Sequence, residues 1–338
     1  MAYKISLLDQ SPIYENETAF DSLQYTIQLA QKAEKWGYHR FWVSEHHNAE
    51  QLAGSSPEVL MSYLLAKTKQ IRIGSGGIML QHYSPYKVAE NFNVLSSLEP
   101  GRVDLGVGKA PGGLPISTKA LQYGTVNDGN DFEERLTFLH QILEKKIPNG
   151  HPLSGVQARP EPPLYPEYYL LGASEKSAEL AAKLGWNFVF AKFINSDISV
   201  WEEAAQTYRQ LKPNGKLIMA ISVFAADSQK AAEERVTNQS VHKVYLKSGR
   251  SVTVQSFEQA EQFGQQSGEE FDIQEQKASI VAGTATFIQE VLNHYHQAYG
   301  VDEFVLHTPI EERKARHRSF QLLSPSRLYN EKREEYVS

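Results

Sequence analysis

Eight short apolar runs alternate with segments of helical periodicity between residues 5 and 306, and no other feature restricts the fold as strongly. The runs are residues 5–8, 41–44, 71–74, 103–108, 168–171, 188–191, 217–225 and 304–306. Most are continuously apolar, as strands covered on both faces must be. The segment 20–36 carries Leu23, Ile27, Ala30 and Ala33 on one stripe and stops at Gly37. Pro57 and Pro85 open the next two helical patterns, and residues 132–143, 174–184, 201–211 and 284–299 carry four more. Residues 231–247 also read as helix, whereas 114–130 has no clear period. The charged tail from Glu311 reads as a helix that wraps back over the body.

Strands alternating with helices specify a parallel sheet. Periodicity alone suits an open doubly wound sheet as well as a closed barrel. The first strand–helix turn, Asp9-Gln10-Ser11-Pro12, contains no Gly-x-Gly-x-x-Gly, which weakens the dinucleotide-binding open fold. Eight units within 338 residues favour α/β architecture of the TIM (β/α)8 type, one domain spanning 1–338. The Pro-rich stretch 148–166 is a surface connection, since the alternation resumes after it. The polar stretch at about 248–278, after strand seven, is too long for a simple connection. It is expected to be an insertion acting as a lid over the barrel mouth.

The second run breaks off into chemistry. Phe41-Trp42-Val43 leads into Ser44-Glu45-His46-His47, and an apolar strand tolerates such groups only where it emerges from the sheet. Barrel enzymes build their sites at these carboxyl ends. An imidazole titrates near pH 6.5, so His46 is a candidate acid–base group. The competing reading is a histidine that only hydrogen-bonds loop carbonyls. Strand alternation lets at most one of His46 and His47 face the mouth. Glu45 reads as an acceptor for backbone donors of a neighbouring loop. Asp9 and Gln10 are weaker candidates at the end of strand one, as are His82 and Tyr83 beyond strand three.

Composition removes several function classes. Thirty-four basic against forty acidic residues give a net charge of −6 without a basic stripe, so nucleic acid is not an expected partner. There is no cysteine, hence no disulfide, thiolate nucleophile or cysteinyl metal site. No strand-one His-x-His and no paired His/Asp set at metal spacing is visible, and no metal is expected. No secretory leader and no bilayer-spanning run are read, so a cytoplasmic protein without a membrane partner is expected.

Four motifs, in order, resemble the bacterial luciferase-like flavin-dependent monooxygenases of the non-luminous branch. They are Ser44-Glu45-His46-His47, Ile73-Gly74-Ser75-Gly76-Gly77-Ile78-Met79-Leu80, Leu98 to Gly108, and Leu171-Gly172-Ala173-Ser174; Gly283-Thr284 fits as well. The likeness runs over about residues 3–325. It implies a barrel that holds FMN at the carboxyl ends of its strands, usually as a homodimer. It also implies oxygenation of a small organic substrate with reduced FMN and O2, the FMNH2 coming from a separate flavin reductase.

The resemblance assigns roles residue by residue. His46 stands where the family's flavin-proximal histidine acts. Gly76–Gly77 stands at a non-proline cis peptide beneath the flavin ring, although an ordinary glycine bulge fits the residues alone. Ala173, Ser174 and Ser177 map to the groups that hold the flavin phosphate. By itself the segment shows a helix start with Ser174 as N-cap, which suits an anion but is also needed by any helix. Glu175 is awkward there, since it repels an anion if turned inward. Lys109 stands where many relatives carry arginine and is expected to pair with the phosphate, or else to be a solvated loop lysine. Gly108 replaces luciferase's reactive cysteine and leaves room above the ring. Two rival functions stay open: an F420-dependent dehydrogenase on the same fold, and a non-catalytic flavin-binding protein.

Overall fold

The computed structural model describes residues 2–125 and 131–328. In chain order the first half runs β1 (Lys4–Asp9), α1 (Ala19–Lys35), β2 (Arg40–Val43), α2 (Pro57–Lys67), β3 (Arg72–Ser75), a two-residue β4 (Ile78–Met79), α3 (Pro85–Leu98), β5 (Val103–Gly108), α4 (Pro115–Leu121) and α5 (Phe132–Leu143). The second half runs β6 (Glu167–Gly172), α6 (Glu175–Lys183), β7 (Asn187–Ala191), α7 (Ile198–Leu211), β8 (Leu217–Ala225) and α8 (Gln229–Val236). It continues with β9 (Ser240–Leu246), β10 (Ser251–Val254), α9 (Phe257–Ser267), β11 (Phe271–Lys277), β12 (Ile280–Gly283), α10 (Ala285–Tyr299), β13 (Glu303–His307) and α11 (Arg313–Leu322).

The eight expected runs form one closed parallel sheet. Hydrogen bonding passes β1–β2–β3–β5–β6–β7–β8–β13 and returns from β13 to β1. The ring is the (β/α)8 barrel that the alternation implied. Two apolar clusters make up most of its core. A large cluster lies between sheet and helices, with Leu29, Phe92, Leu139 and Trp201 fully buried. A smaller one fills the bore, from Leu8, Trp42, Tyr169, Val189, Ile218, Ala220 and Val305. Gly74 faces this bore, where a Cβ would fall 2.5 Å from Trp42 Nε1 and 2.7 Å from Asp104 Cβ.

The amino end of the bore is closed by charge. Arg40 donates to Glu303 at 2.7 Å and to Asp104 at 2.8 Å, and Arg72 reaches Asp104 at 2.5 Å. Tyr169 lies under the Arg40 guanidinium, 4.9 Å from ring centre to Cζ. Arg40 and Asp104 have no exposed surface, so each charge survives there only through its partners. The carboxyl ends of the strands, with the residues after β2, lie at the opposite end.

The region after β8 departs from the expectation. Residues 231–247 are not one helix: α8 stops at Val236 and β9 begins at Ser240. β9 is the centre of a three-stranded antiparallel sheet, β10–β9–β11, so the excursion covers 240–277 and is folded throughout. Val244 and Leu246 repeat at a spacing of two, and α9 buries Ala260 over them, which is sheet rather than helix packing. Gly249, at φ +83°, makes the hairpin. The excursion reaches the barrel mouth, since Ile116 N at the start of α4 donates to Gln266 Oε1 of α9 at 3.1 Å. α4 itself lies within 114–130, where no period was legible; residues 126–130 of that stretch lie outside the described residues. The tail forms α11 as expected up to Leu322, and residues 329–338 lie outside the described residues. Among the described residues no helix is long and apolar enough to cross a membrane.

Candidate active site

β2 ends at Val43, and the next four residues are held between two loops. His46 N donates to Gly54 O at 2.8 Å and His47 N donates to Gly112 O at 2.7 Å. The two imidazoles then part. His47 Nε2 donates to Glu45 Oε1 at 2.7 Å. Tyr83 OH donates to the same oxygen at 2.7 Å, and Met79 N donates to Glu45 Oε2 at 3.0 Å. Glu45 is fully buried, and its acceptor role towards a neighbouring backbone is as expected. His46 turns the other way, to Gln10 at the end of β1, with 3.1 Å between their Nε2 atoms. Gln10 Oε1 in turn accepts from His307 Nε2 at 3.0 Å. The carboxyl ends of β1, β2 and β13 are thereby joined by side chains.

Burial dominates the electrostatics here. It pushes His46 down to about 4, with His47 adding to the effect and Glu45 opposing it. It pushes His307 down to about 3, assisted by the Arg316 guanidinium and by His46. Both rings are therefore neutral at pH 7, and each presents one N–H donor and one acceptor nitrogen.

The glycine-rich strand end lies beside them. Gly76–Gly77 is cis. A Cβ on Gly76 would fall 2.8 Å from Leu8 Cδ1, and one on Gly77 would fall 3.0 Å from Gly106 O. Next to this crowded floor, a Cβ on Gly108 would meet nothing within 4 Å, so a cleft opens at the end of β5. Lys109 follows it, exposed and without an ion-pair partner among the described residues.

The end of β6 supplies a helix start. Ser174 Oγ accepts from Ser177 N at 3.4 Å and lies 3.1 Å from Ser177 Oγ, so Ser174 is the N-cap of α6. Gly172 is required by this turn, because a Cβ there would come 2.3 Å from Ser177 Cβ. Asn195 Nδ2 donates to Ala173 O at 3.2 Å and ties the turn to the end of β7. Glu175 resolves its own difficulty: its carboxylate accepts from Thr207 Oγ1 on α7 at 2.9 Å, away from the helix start.

Several expectations need correcting or extending. Asp9 does not face the mouth. It is buried against Arg316 of α11 at 2.7 Å and Thr26 of α1 at 2.6 Å. His82 braces loops, donating to Pro111 O at 2.8 Å and accepting from Gln122 at 3.1 Å. His307, its neighbour Ser222 at 3.4 Å and Phe193 at 5.5 Å between ring centres were not singled out from sequence. The signal existed: residues 304–306 form an apolar strand that ends in His307, the same grammar as the run ending near His46.

A strand-end imidazole, a close-packed glycine floor and a serine-capped helix start thus surround one barrel mouth, and three comparisons bear on what such a mouth belongs to. The model of the luciferase-like monooxygenase family matches residues 1–299. The chain is 47% identical over 328 residues to the N-acetyl-S-alkylcysteine monooxygenase of Bacillus subtilis (strain 168), covering 96% of this chain and 98% of that one. It is 35% identical to a luciferase-like monooxygenase of Escherichia coli (strain K12), with 94% and 95% of the two chains covered. Among solved structures, apo-MsnO8 superposes with a TM-score of 0.75 at 31% identity, covering 96% of this chain and 98% of that one. The chain belongs to the luciferase-like monooxygenase family of enzymes.

Proposed function

We propose that this chain is an FMN-dependent monooxygenase that uses reduced FMN and O2 on a small thioether of the N-acetyl-S-alkylcysteine class. The observation that carries the reading is the convergence of His46, the Gly76–Gly77 floor and the Ser174-capped helix start on one barrel mouth. The substrate class rests on the near-full-length relative at 47% identity.

FMN, when bound, supplies the redox chemistry that activates O2. The chain's residues do the rest. Gly76 and Gly77 expose backbone to a flat ring, and Gly108 leaves space on its other side. Backbone N–H groups at Ala173 and Ser174, with the hydroxyls of Ser174 and Ser177, take the phosphate, and the macrodipole of α6 favours its charge. Lys109 is free to add a cation. His46, neutral at pH 7, takes or returns a proton at the reacting centre. The folded excursion 240–277, braced on α4 by Gln266, acts as the lid that keeps water out.

The remaining assignments belong to the same reading. The chain works as one barrel domain over 1–338, and reduced FMN comes from a separate reductase. Val59 and Tyr63 on α2, with Val94 and Leu98 on α3, leave apolar surface exposed on adjacent helices, which suits a homodimer contact. A cysteine-free chain suits the reducing cytoplasm.

Fluorescence titration against FMN and F420, followed by oxygen uptake with reduced FMN and an N-acetyl-S-alkylcysteine, tests the proposal. Preference for FMN and thioether-dependent oxygen consumption are expected. Preference for F420 overturns the cofactor, and tight FMN binding without substrate-dependent uptake overturns the enzymatic role.

A further inference from the structure

Gln10 sits between two neutral imidazoles, and its chemistry constrains both. A carboxamide has an oxygen that only accepts and an NH2 that only donates. Its Oε1 lies 3.0 Å from His307 Nε2, and its Nε2 lies 3.1 Å from His46 Nε2. His307 therefore carries its proton on Nε2 and donates it to Gln10. His46 Nε2 is bare and accepts from Gln10. The other nitrogen of His307, Nδ1, is left to accept from Ser222 Oγ at 3.4 Å. Donation runs in one direction, from β8 through β13 and β1 to the residues after β2. It leaves the ring proton of His46 on Nδ1, since the bond made by one ring nitrogen decides the state of the other.

We propose that Gln10 and His307 are positioning residues that set the tautomer of His46, and that the amide between them allows only one of the two rings to hold a proton on Nε2 at a time. The inference rests on the reading of His46 as the proton-handling group. When His46 gains a proton at Nε2, the Gln10 amide must turn to present Oε1 to it. The NH2 group then faces His307 Nε2, so His307 gives its Nε2 proton to water and takes one from water at Nδ1, which then donates to Ser222 Oγ. His307 stays neutral with a single proton, and only His46 gains charge.

The surroundings favour this order. His307 faces Ser222 from β8, Phe193 after β7, and Arg316 from α11, whose guanidinium is itself paired with Asp9 at 2.7 Å. A second cation beside Arg316 is disfavoured. His46 has the Glu45 carboxylate on its own segment, with His47 as the other neighbouring ring.

Nitrogen-15 NMR of the histidine rings in the free full-length protein tests this, with the His46 signals assigned by their loss in His46→Ala. In the native protein His46 should show a bare Nε2 and a protonated Nδ1. His307→Phe keeps a ring beside Phe193 but removes the donor, so His46 should now populate Nε2–H. Gln10→Glu, nearly the same shape, accepts from both sides. It should place Nε2–H on both rings and raise the titration of His46. A His46 ring already protonated on Nε2 in the native protein, or one unmoved in both variants, overturns the proposal whatever happens to turnover. Where the tautomer moves, kcat should fall about 10- to 100-fold with little change in KM. A moved tautomer with unchanged turnover supports the relay and removes His46 from catalysis instead.

Discussion

Arg40 on β2 and Glu303 on β13 meet at 2.7 Å in the floor of the barrel, both shut off from solvent. They join the strands on either side of β1 at the end opposite the candidate site. Removing one partner leaves a buried charge short of its match, which costs about 3–5 kcal/mol in such pairs. Glu303→Ala should therefore lower unfolding free energy by about that amount in denaturant titration. Glu303→Gln, which keeps an acceptor for the guanidinium, should lose less. Equal stability of Glu303→Ala and the native protein would show that Asp104 alone satisfies Arg40.

Replacing His46 by Ala removes the proposed proton carrier while leaving the glycine floor and helix start in place. Coupled turnover with reduced FMN should drop about 10²- to 10⁴-fold, the usual worth of a positioned acid–base group. FMN affinity should change little. Unimpaired turnover in this variant takes the histidine out of the mechanism.

The helix start of α6 can be tested with a ligand pair. Changing both Ser174 and Ser177 to Ala should weaken FMN and leave riboflavin nearly as before, because only the former carries a phosphate. Loss of the cap should also cost about 1 kcal/mol of stability. Equal weakening of both ligands by calorimetry would place the phosphate elsewhere.

Acid should destabilise the barrel through its buried histidines. In the folded state His46 lies at about 4 and His307 at about 3, against about 6.5 in the unfolded chain. Below pH 6.5 the unfolded chain binds more protons than the folded one. The contribution of these rings is thus complete above about pH 6.5 and is lost progressively as pH falls through the folded values. Denaturation midpoints should decline from about pH 7 to about pH 5, and less steeply in His307→Phe. A flat profile over this range contradicts the burial of these rings as neutral groups.

Two neighbouring glycines of β5 should respond in opposite ways. A Cβ on Gly106 would sit 2.0 Å from Ser75 O, whereas one on Gly108 meets nothing within 4 Å. Gly106→Ala should cost about 1–3 kcal/mol or more through forced overpacking. Gly108→Ala should fold with near-native stability and act instead on flavin or substrate affinity. Thermal melts combined with FMN titration separate the two effects.

The sequence by itself determined the alternation, and with it a parallel sheet covered by helices; that the sheet closes into a ring through the pairing of β13 with β1 was decided in the tertiary structure. Continuous apolar runs must be covered on both faces, whichever of the two topologies they adopt. Leu217–Ala225 and Phe132–Leu143 are bounded in the fold as their composition requires, because local periodicity and turn residues specify them. The emergence of Glu45, His46 and His47 from an apolar strand was legible for the same reason. The tertiary structure alone decided that His46 turns to Gln10 while His47 turns to Glu45, why Asp9 turns back to Arg316, and that His307 meets Gln10 across 297 residues of chain. It also decided that 240–277 folds as a sheet with its own small core, since a strand of mixed polarity shows its period only once its partners are known. Strand ends become neighbours when the ring closes, and no local pattern records which side chains that closure brings into hydrogen-bonding distance.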